Sequence, residues 1–181
     1  MKVLGLVAGP RKTGHTAALV EEILAGAKEA GHETIIYYLS DLEIKPLEQG
    51  RDGYIYPEDG FQKIMPNLES MNVLVLGTPI YYDQVSSRAK LFIDRLHYYS
   101  KSHGDEYRKK FPNSVKFISA VTYGWDKADA YKEVVDWLEG RMKNYWNMTV
   151  YGALKAYGTG NKPVKDNKNL LMKAKELGNS L

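Results

Sequence analysis

Apolar positions along the chain follow two rhythms that alternate. Short, nearly continuous apolar runs read as buried strands at Lys2–Val7, Thr34–Leu39, Val73–Gly77, Val115–Val121 and Met148–Ala156. Helical spacing fills the intervals. Leu19, Val20, Ile23, Leu24 and Ala27 form one stripe, predicting a helix from about Thr16 that Gly31 is placed to end as its C′ residue. Phe61, Ile64, Met65 and Leu68 predict a second helix, with a kink or late start at Pro66, which has no N–H to give. Val85, Ala89, Phe92, Ile93 and Leu96 mark a third. Asp126 is placed to N-cap a fourth, whose stripe is Tyr131, Val134, Val135, Leu138 and Met142. Leu170, Leu171, Ala174 and Leu177 define the last, with Gly178 after it.

Strict strand–helix alternation with buried-type strands implies an α/β architecture: a parallel sheet with helices on both faces. Right-handed crossovers leave a few doubly wound topologies. For five strands the leading one is the three-layer, flavodoxin-like order 2-1-3-4-5, which opens a ligand crevice at the carboxyl ends of strands 1 and 3. No repeat, low-complexity tract or linker interrupts the pattern, so residues 1–181 are expected to form one domain.

Composition narrows the chemistry. The 181 residues are 44% hydrophobic and 26% charged, enough for a full-sized core without disulfide or metal. No apolar run approaches the ~18 residues of a membrane span, and Lys2–Val7 is too short for a signal peptide. A cytoplasmic protein without membrane contact is expected. The chain has no cysteine, which excludes disulfides, thiol nucleophiles, thiolate zinc sites and cysteine-ligated iron–sulfur clusters. His15, His32, His97 and His103 show no metal-ligand spacing. A net charge of +3 is too mild and dispersed to argue for nucleic acid. Lys162, Lys165, Lys168, Lys173 and Lys175 read as a solvated face.

Function should be written in the loops after strands 1, 3 and 4. Ala8–Thr16 gathers two glycines, two hydroxyls and two cations around a helix N-terminus, where free N–H groups and the dipole make a phosphate seat. The alternative is that Thr16 caps the helix and Gly14 turns the chain. Gly9–Thr16 also approximates the nucleotide P-loop, but His15 stands where that loop requires a lysine, and no aspartate ends strand 3 to help hold magnesium. A cofactor monoester is the better match. Gly77–Ser87 combines Pro79, Tyr81 and Tyr82 with the polar Asp83, Gln84 and two serines. Thr122-Tyr123-Gly124-Trp125 repeats that mix. Flat apolar faces with polar edges suit a planar heterocycle, although each loop alone could simply cover the sheet end.

These segments carry a family resemblance. Ala8–Thr16 resembles the G-S-P-R-x-x-G-N-T loop of the flavodoxin-like NAD(P)H-dependent FMN reductases, nearest to their iron–sulfur flavoprotein and multimeric-flavodoxin branch. Gly77–Tyr82 is similar to that family's G-S-P-x-Y segment, and Val85–Arg95 to its V-S-x-x-L-K-x-F-I-D-R helix. The similarity runs from Met1 to about Arg95, and Thr122–Trp125 falls where the family has a third flavin-contacting loop. The resemblance implies that Pro10, Arg11, Lys12, Thr13, His15 and Thr16 surround the FMN phosphate and ribityl chain. It places Pro79, Ile80, Tyr81, Tyr82, Asp83 and Gln84 along the isoalloxazine ring, with Thr122, Tyr123, Gly124 and Trp125 on its other side. It further implies a homodimer or tetramer with the flavin near a subunit interface.

Two departures bear on the site. Gly9 replaces the family's phosphate-loop serine and His15 its asparagine, which removes a hydroxyl and an amide and predicts weaker FMN binding. The iron–sulfur branch carries cysteines after strand 2, where this chain has Leu47–Tyr56, so no cluster can relay electrons. That segment is expected to be a surface loop that covers the flavin, builds an oligomer contact or simply packs. The implied activity is FMN-dependent oxidoreduction, with NADH or NADPH as donor and a quinone, flavin, or nitro or azo compound as acceptor. The flavin carries that chemistry, so no side-chain catalyst is assigned. The backbone of Tyr82–Gln84 is expected to tune the flavin, and Tyr81, Tyr82 and Trp125 to define the acceptor pocket. A flavodoxin-type electron carrier is disfavoured, since such carriers dock through acidic faces. A non-enzymatic FMN-binding protein is the remaining alternative.

Overall fold

A computed structural model describes residues 1–181. The chain runs β1 (Lys2–Val7), α1 (His15–Glu29), β2 (Glu33–Tyr38), the short β3 (Glu48–Gly50) and β4 (Gly53–Ile55), and α2 (Met65–Leu68). It continues through β5 (Val73–Tyr81), β6 (Gln84–Val85), α3 (Ser87–Arg95), α4 (Asp105–Lys110), β7 (Lys116–Thr122), α5 (Lys132–Trp146), β8 (Thr149–Ala156) and α6 (Lys168–Asn179). The five long strands pair in parallel in the order β2-β1-β5-β7-β8. Counted along the chain, this is the expected 2-1-3-4-5.

Alternation along the strands splits the core between two faces. Leu4, Leu6, Leu74, Leu76 and Phe117 point to one, where α3 and α5 add Phe92, Leu138 and Met142. Val3, Val7, Val73, Val75 and Ile118 point to the other, against Leu19, Val20 and Ile23 of α1 and Ala174 of α6. The centre of β1 has apolar neighbours on both sides: Leu4 lies between Ile35 and Leu74, and Leu6 between Tyr37 and Leu76. Two strand glycines let α1 sit close. A Cβ on Gly5 would lie 2.7 Å from Leu24 Cδ1, and one on Gly77 2.5 Å from Val20 Cγ2. The α1–α6 crossing needs the same economy: a Cβ on Gly26 would meet the Lys175 carbonyl oxygen at 2.0 Å, and one on Gly178 the Ile23 carbonyl oxygen at 2.0 Å. Gly178 therefore lies inside the last helix rather than beyond it.

Several boundaries differ from expectation for identifiable reasons. Gly31 does end α1: with φ +82° it is the C′ residue, and the Gly31 and His32 amides donate to the Lys28 and Ala27 carbonyls in a Schellman pattern. Pro66 sits in the first turn of a short α2 that follows a 3₁₀ turn at Gly60–Lys63, the late start its missing donor allows. Asp126 does not cap α5. That helix begins at Lys132, and Asp126 instead takes the ammonium of Lys162 at 2.8 Å. Ser86, rather than Val85, sets the start of α3, accepting the Ala89 amide at its hydroxyl. The strand expected at Val73–Gly77 runs on to Tyr81, because Thr78 and Pro79 still pair with Val121 and Thr122. Leu47–Tyr56 contains a β-hairpin, β3–β4, rather than a loop, and α4 has no apolar stripe by which to be foreseen.

The hairpin segment is fastened to the core by one buried ion pair. Arg95 and Asp59 are bonded through Nη1 and Oδ2, with both side chains 2% exposed. Arg95 also donates to the carbonyls of Lys45 (2.8 Å) and Pro57 (3.1 Å) and lies over the Phe61 ring, while its Nε has no partner. Asp59 further accepts the amides of Lys45 and Phe61, closing a capping box with Gln62. Burial alone would raise the Asp59 carboxyl; the Arg95 hydrogen bond and those two amides outweigh it and hold it below the usual carboxylate range. Stability from this site is thus present above the unfolded value of about 3.9 and is lost as pH falls through the lower folded one.

Asp59→Asn should therefore cost about 3–5 kcal/mol at neutral pH, because it strands the Arg95 charge, and its deficit against wild type should shrink below about pH 4. Urea denaturation across that pH range measures both. Gly26→Ala should lower stability by about 2 kcal/mol or more, despite a gain of ~1 kcal/mol in helix propensity, since the clash is with backbone and cannot rotate away.

Candidate functional site

The carboxyl ends of β1, β5 and β7 converge with the start of α1 around a cleft of about 120 Å³. The β1 loop contributes Pro10, Arg11, His15 and Thr16; β5 contributes Pro79, Ile80 and Tyr81; and β7 contributes Thr122, Tyr123 and Gly124. Gly9, Gly14 and Thr159 complete its walls. Six of the expected positions lie outside that wall. The Lys12 ammonium sits 2.6 Å from Asp41 and over the Tyr38 ring, and Thr13 is exposed on the loop. Tyr82, Asp83, Gln84 and Trp125 stand exposed at the end of β5 and in the loop after β7.

The cleft floor gathers hydrogen-bond donors and positive charge. Gly14 is the N-cap of α1 and has no side chain to accept the first-turn amides, so the N–H groups of His15 and Thr16 remain available beside the positive end of the helix dipole. Thr16 therefore does not cap. Its Oγ1 lies 2.8 Å from Thr122 Oγ1, a buried pair that uses one hydroxyl hydrogen between its members and leaves one to donate. Arg11 adds an exposed guanidinium with no acidic partner. His15 Nδ1 accepts the Val164 amide at 3.3 Å, which assigns the ring proton to Nε2. Burial, then the positive charges of Arg11 and Lys165, push His15 below its ordinary value, so the ring offers a neutral donor where an asparagine amide was expected.

A second buried network holds the loops in register. Ser86 Oγ donates to the Ala8 carbonyl at 2.9 Å and accepts the Ala89 amide, while Thr78 Oγ1 accepts the Ser86 amide at 3.1 Å. The first turn of α3 is thereby bonded to the phosphate-type loop. Beyond it, β5 and β6 close through Tyr82 and Asp83 in a two-residue turn with φ of 47° and 58°. Neither residue is glycine, and each left-handed conformation costs roughly 1 kcal/mol. Tyr82 is fully exposed there, and Tyr81 and Trp125 also present ring surface. Trp125 meets Tyr131 edge-on at 6.0 Å, and Tyr131 meets Tyr123 at 5.0 Å. Burial and the adjacent Asp83 carboxylate raise the Tyr131 phenol.

Thr159 had escaped the sequence reading. Its amide donates to the Tyr123 carbonyl at 3.2 Å and that of Gly158 to Trp125 at 3.0 Å, which draws the loop after β8 into the cleft. Gly158, at φ +64°, is packed where a Cβ would lie 2.7 Å from Asp126 Oδ1. Glycines on both sides of Thr159 were the available signal.

The donor set matches a phosphate monoester with a polar chain: helix amides, threonine hydroxyls, an imidazole N–H and one guanidinium. A fused ring system does not fit within 120 Å³ and would have to lie against the open rim of Tyr81, Tyr82 and Trp125. No protein atom lies within 4 Å of a Cβ placed on Gly124, leaving that approach clear.

Comparison with known proteins bears on the fold and the family. An iron–sulfur flavoprotein of Methanocaldococcus jannaschii is 33% identical over 102 residues, 52% of this chain and 51% of its own. The chain spans about half the length of the curated relatives it matches in this way. Among solved structures, the azoreductase AzrA superposes with a TM-score of 0.71 at 17% identity over the whole of both chains. The NAD(P)H:quinone oxidoreductase of Methanothermobacter marburgensis gives 0.68 at 16% identity, covering 99% of this chain and 96% of its own. At such identities these structures establish the flavodoxin-like fold. The sequence profile of the NADPH-dependent FMN reductases matches residues 1–125, more than half of the molecule, and the chain belongs to that family.

Proposed function

We propose that residues 1–181 act as one FMN-binding unit that oxidises NADH or NADPH and reduces a small organic acceptor such as a quinone, a free flavin, or a nitro or azo compound. The observation that carries this reading is the uncapped N-terminus of α1, which opens into a cleft of about 120 Å³ at the sheet's switch point. Family membership supports it, as do the names of similar proteins, which include flavoproteins and quinone and azo reductases.

In this reading the amides of His15 and Thr16, the Thr16–Thr122 hydroxyl pair, Arg11 and His15 Nε2 hold the FMN phosphate and ribityl chain. Lys12 and Thr13 contribute to the field of the loop rather than to its wall. Pro79, Ile80 and Tyr81 support one edge of the ring, and Thr122, Tyr123 and Gly124 the other. Tyr82, Asp83, Gln84 and Trp125 border the open side, where donor and acceptor bind in turn. Bound FMN would supply the redox chemistry linking the nicotinamide donor to the acceptor. The protein orients the reactants and shields them from water. We further propose that the chain works in the cytoplasm as a homodimer or tetramer, since the exposed aromatic rim needs a cover that the cleft itself does not provide. An iron–sulfur relay has no place in the scheme, because the chain has no thiolate to hold a cluster.

Purified protein loaded with FMN should show bound-flavin absorption and should turn over NADH or NADPH with an added quinone. Bound flavin without turnover, with any acceptor class, would make the protein an FMN-binding or carrier protein; an absorption spectrum that never shows bound flavin would overturn the reading. Thr16→Val should weaken FMN binding by about tenfold, the worth of one hydrogen bond to a charged group. Gly9→Ser should strengthen it. A Cβ there lies at an ordinary 3.4 Å from Thr16, so the added side-chain carbon meets no clash. Equilibrium flavin-fluorescence titration compares all three proteins.

A further inference from the structure

A second and larger cavity, about 770 Å³, opens at the opposite end of α3 and α5 and shares no residue with the flavin cleft. Its size falls within the roughly 300–1,000 Å³ of small-molecule sites. One wall is apolar and flat, formed by Leu47 and Tyr54 from the β3–β4 segment, Ile93 from α3, and Tyr145 and Trp146 from α5. The other is cationic. Lys101, Arg108 and Arg141 reach it from the loop before α4, from α4 and from α5.

The charges there are not balanced by the protein. Asp94 is the one acidic residue in the lining, and both its carboxylate oxygens are engaged by Lys90, at 2.6 and 2.8 Å. An unpaired surface lysine is ordinary, but Arg108 and Arg141 are half-buried and have no carboxylate partner. Arg141 is held in place by Tyr145, whose hydroxyl accepts from Nη1 at 3.1 Å beneath a guanidinium stacked 4.9 Å from the ring. Its Nε is buried with no hydrogen-bond partner. The neighbouring Arg95, by contrast, has its own carboxylate in Asp59. Arg108 Nη1 donates to the Phe111 carbonyl at 3.3 Å, but neither guanidinium charge is neutralised and Arg141 Nε is left unpaired; an anion bound between the cationic and apolar walls would supply both needs.

Neutral donors line the same cavity. Tyr56 and His97 Nδ1 are 2.7 Å apart, His97 Nε2 lies 3.1 Å from Ser102 Oγ, and Ser102 Oγ lies 2.7 Å from Ser100 Oγ, a chain that fixes both serine hydroxyls at the wall. Tyr54 rests on the His97 ring with centroids 4.4 Å apart, so the hairpin is docked over the opening. We propose that this cavity is a second small-molecule site for a flat aromatic anion, one bearing a carboxylate, sulfonate or phosphate, which lies against Tyr54 and Tyr145 with its charge on Arg108 and Arg141. The proposal is independent of the flavin reading.

The test uses the intact protein with excess FMN and 8-anilinonaphthalene-1-sulfonate as fluorescent probe. Saturable binding of one probe per chain is expected, weakened about tenfold or more by Arg141→Gln and by Arg108→Gln, and by raised salt. Thr16→Val should leave it unchanged. The uncharged N-phenyl-1-naphthylamine should bind far more weakly. Circular dichroism and thermal melting of the variants separate lost binding from lost folding, and Arg108→Gln serves as the second probe if Arg141→Gln fails to fold. Equal binding of the uncharged dye, probe binding unaffected by both substitutions, or a dimer in sedimentation that buries Tyr145 and excludes the probe would each overturn the proposal.

Discussion

The site depends on how closely α1 can lie on the sheet. Gly5 and Gly77 remove the two side chains that would hold the helix off β1 and β5, and Gly26 with Gly178 does the same between α1 and α6. The helix is pinned from below and from the side, and its first turn is brought level with the carboxyl edge of the sheet. Only in that position can Thr16 reach Thr122 across the crevice. The anion seat is thus a consequence of packing: the dipole and free amides come with any helix N-terminus, but placing them between two strand ends requires missing Cβ atoms elsewhere.

A second constraint operates at the other end of the molecule. Between β2 and α2 the flanks reach the core through Leu39, Phe61 and Ile64, but the β3–β4 hairpin between them is largely exposed and packs little of its own. The buried Arg95–Asp59 pair replaces that missing packing. It draws Lys45, Pro57 and Phe61 together around the end of α3, so α3 carries information in both directions. Ser86 at its start positions the loop beside the candidate cleft, and Arg95 at its end positions the hairpin that walls the second cavity. A buried ion pair is weak evidence of net stability, but it is a strong specifier of which segment docks where.

How much of this the sequence disclosed follows from how local each determinant is. Strand runs and helix stripes depend on burial of neighbouring positions, so the five long strands, their order and the helices α1, α3, α5 and α6 could be read directly. Gly31 was readable for the same reason: one φ at one position ends the helix. What escaped is set by partners far away in the chain. Asp126 has the chemistry of an N-cap, yet Lys162 claims it. Gly178 looks like a terminator until the Ile23 carbonyl is seen against it. Thr159 enters the cleft through hydrogen bonds to Tyr123 and Trp125 from the last crossover. Within the candidate site, Thr16 at the start of α1 and Thr122 at the end of β7 are legible as a composition, but their direct bond is not. Lys12 reads as part of the seat because nothing in the sequence shows that Asp41 lies 2.6 Å from its ammonium.

The replacement of the family's asparagine at His15 shows why such departures have to be judged in three dimensions. By composition alone the exchange removes an amide donor and introduces a group that can gain charge. In place, the Val164 amide occupies Nδ1, and burial together with Arg11 and Lys165 disfavours protonation. The ring is left with one tautomer and one outward donor, Nε2–H, which is the function the amide would have served. The same amide of Val164 ties the segment before α6 to the start of α1. The substitution therefore keeps a donor at this position and adds a brace, and the loop's remaining difference from the family pattern is the single hydroxyl missing at Gly9.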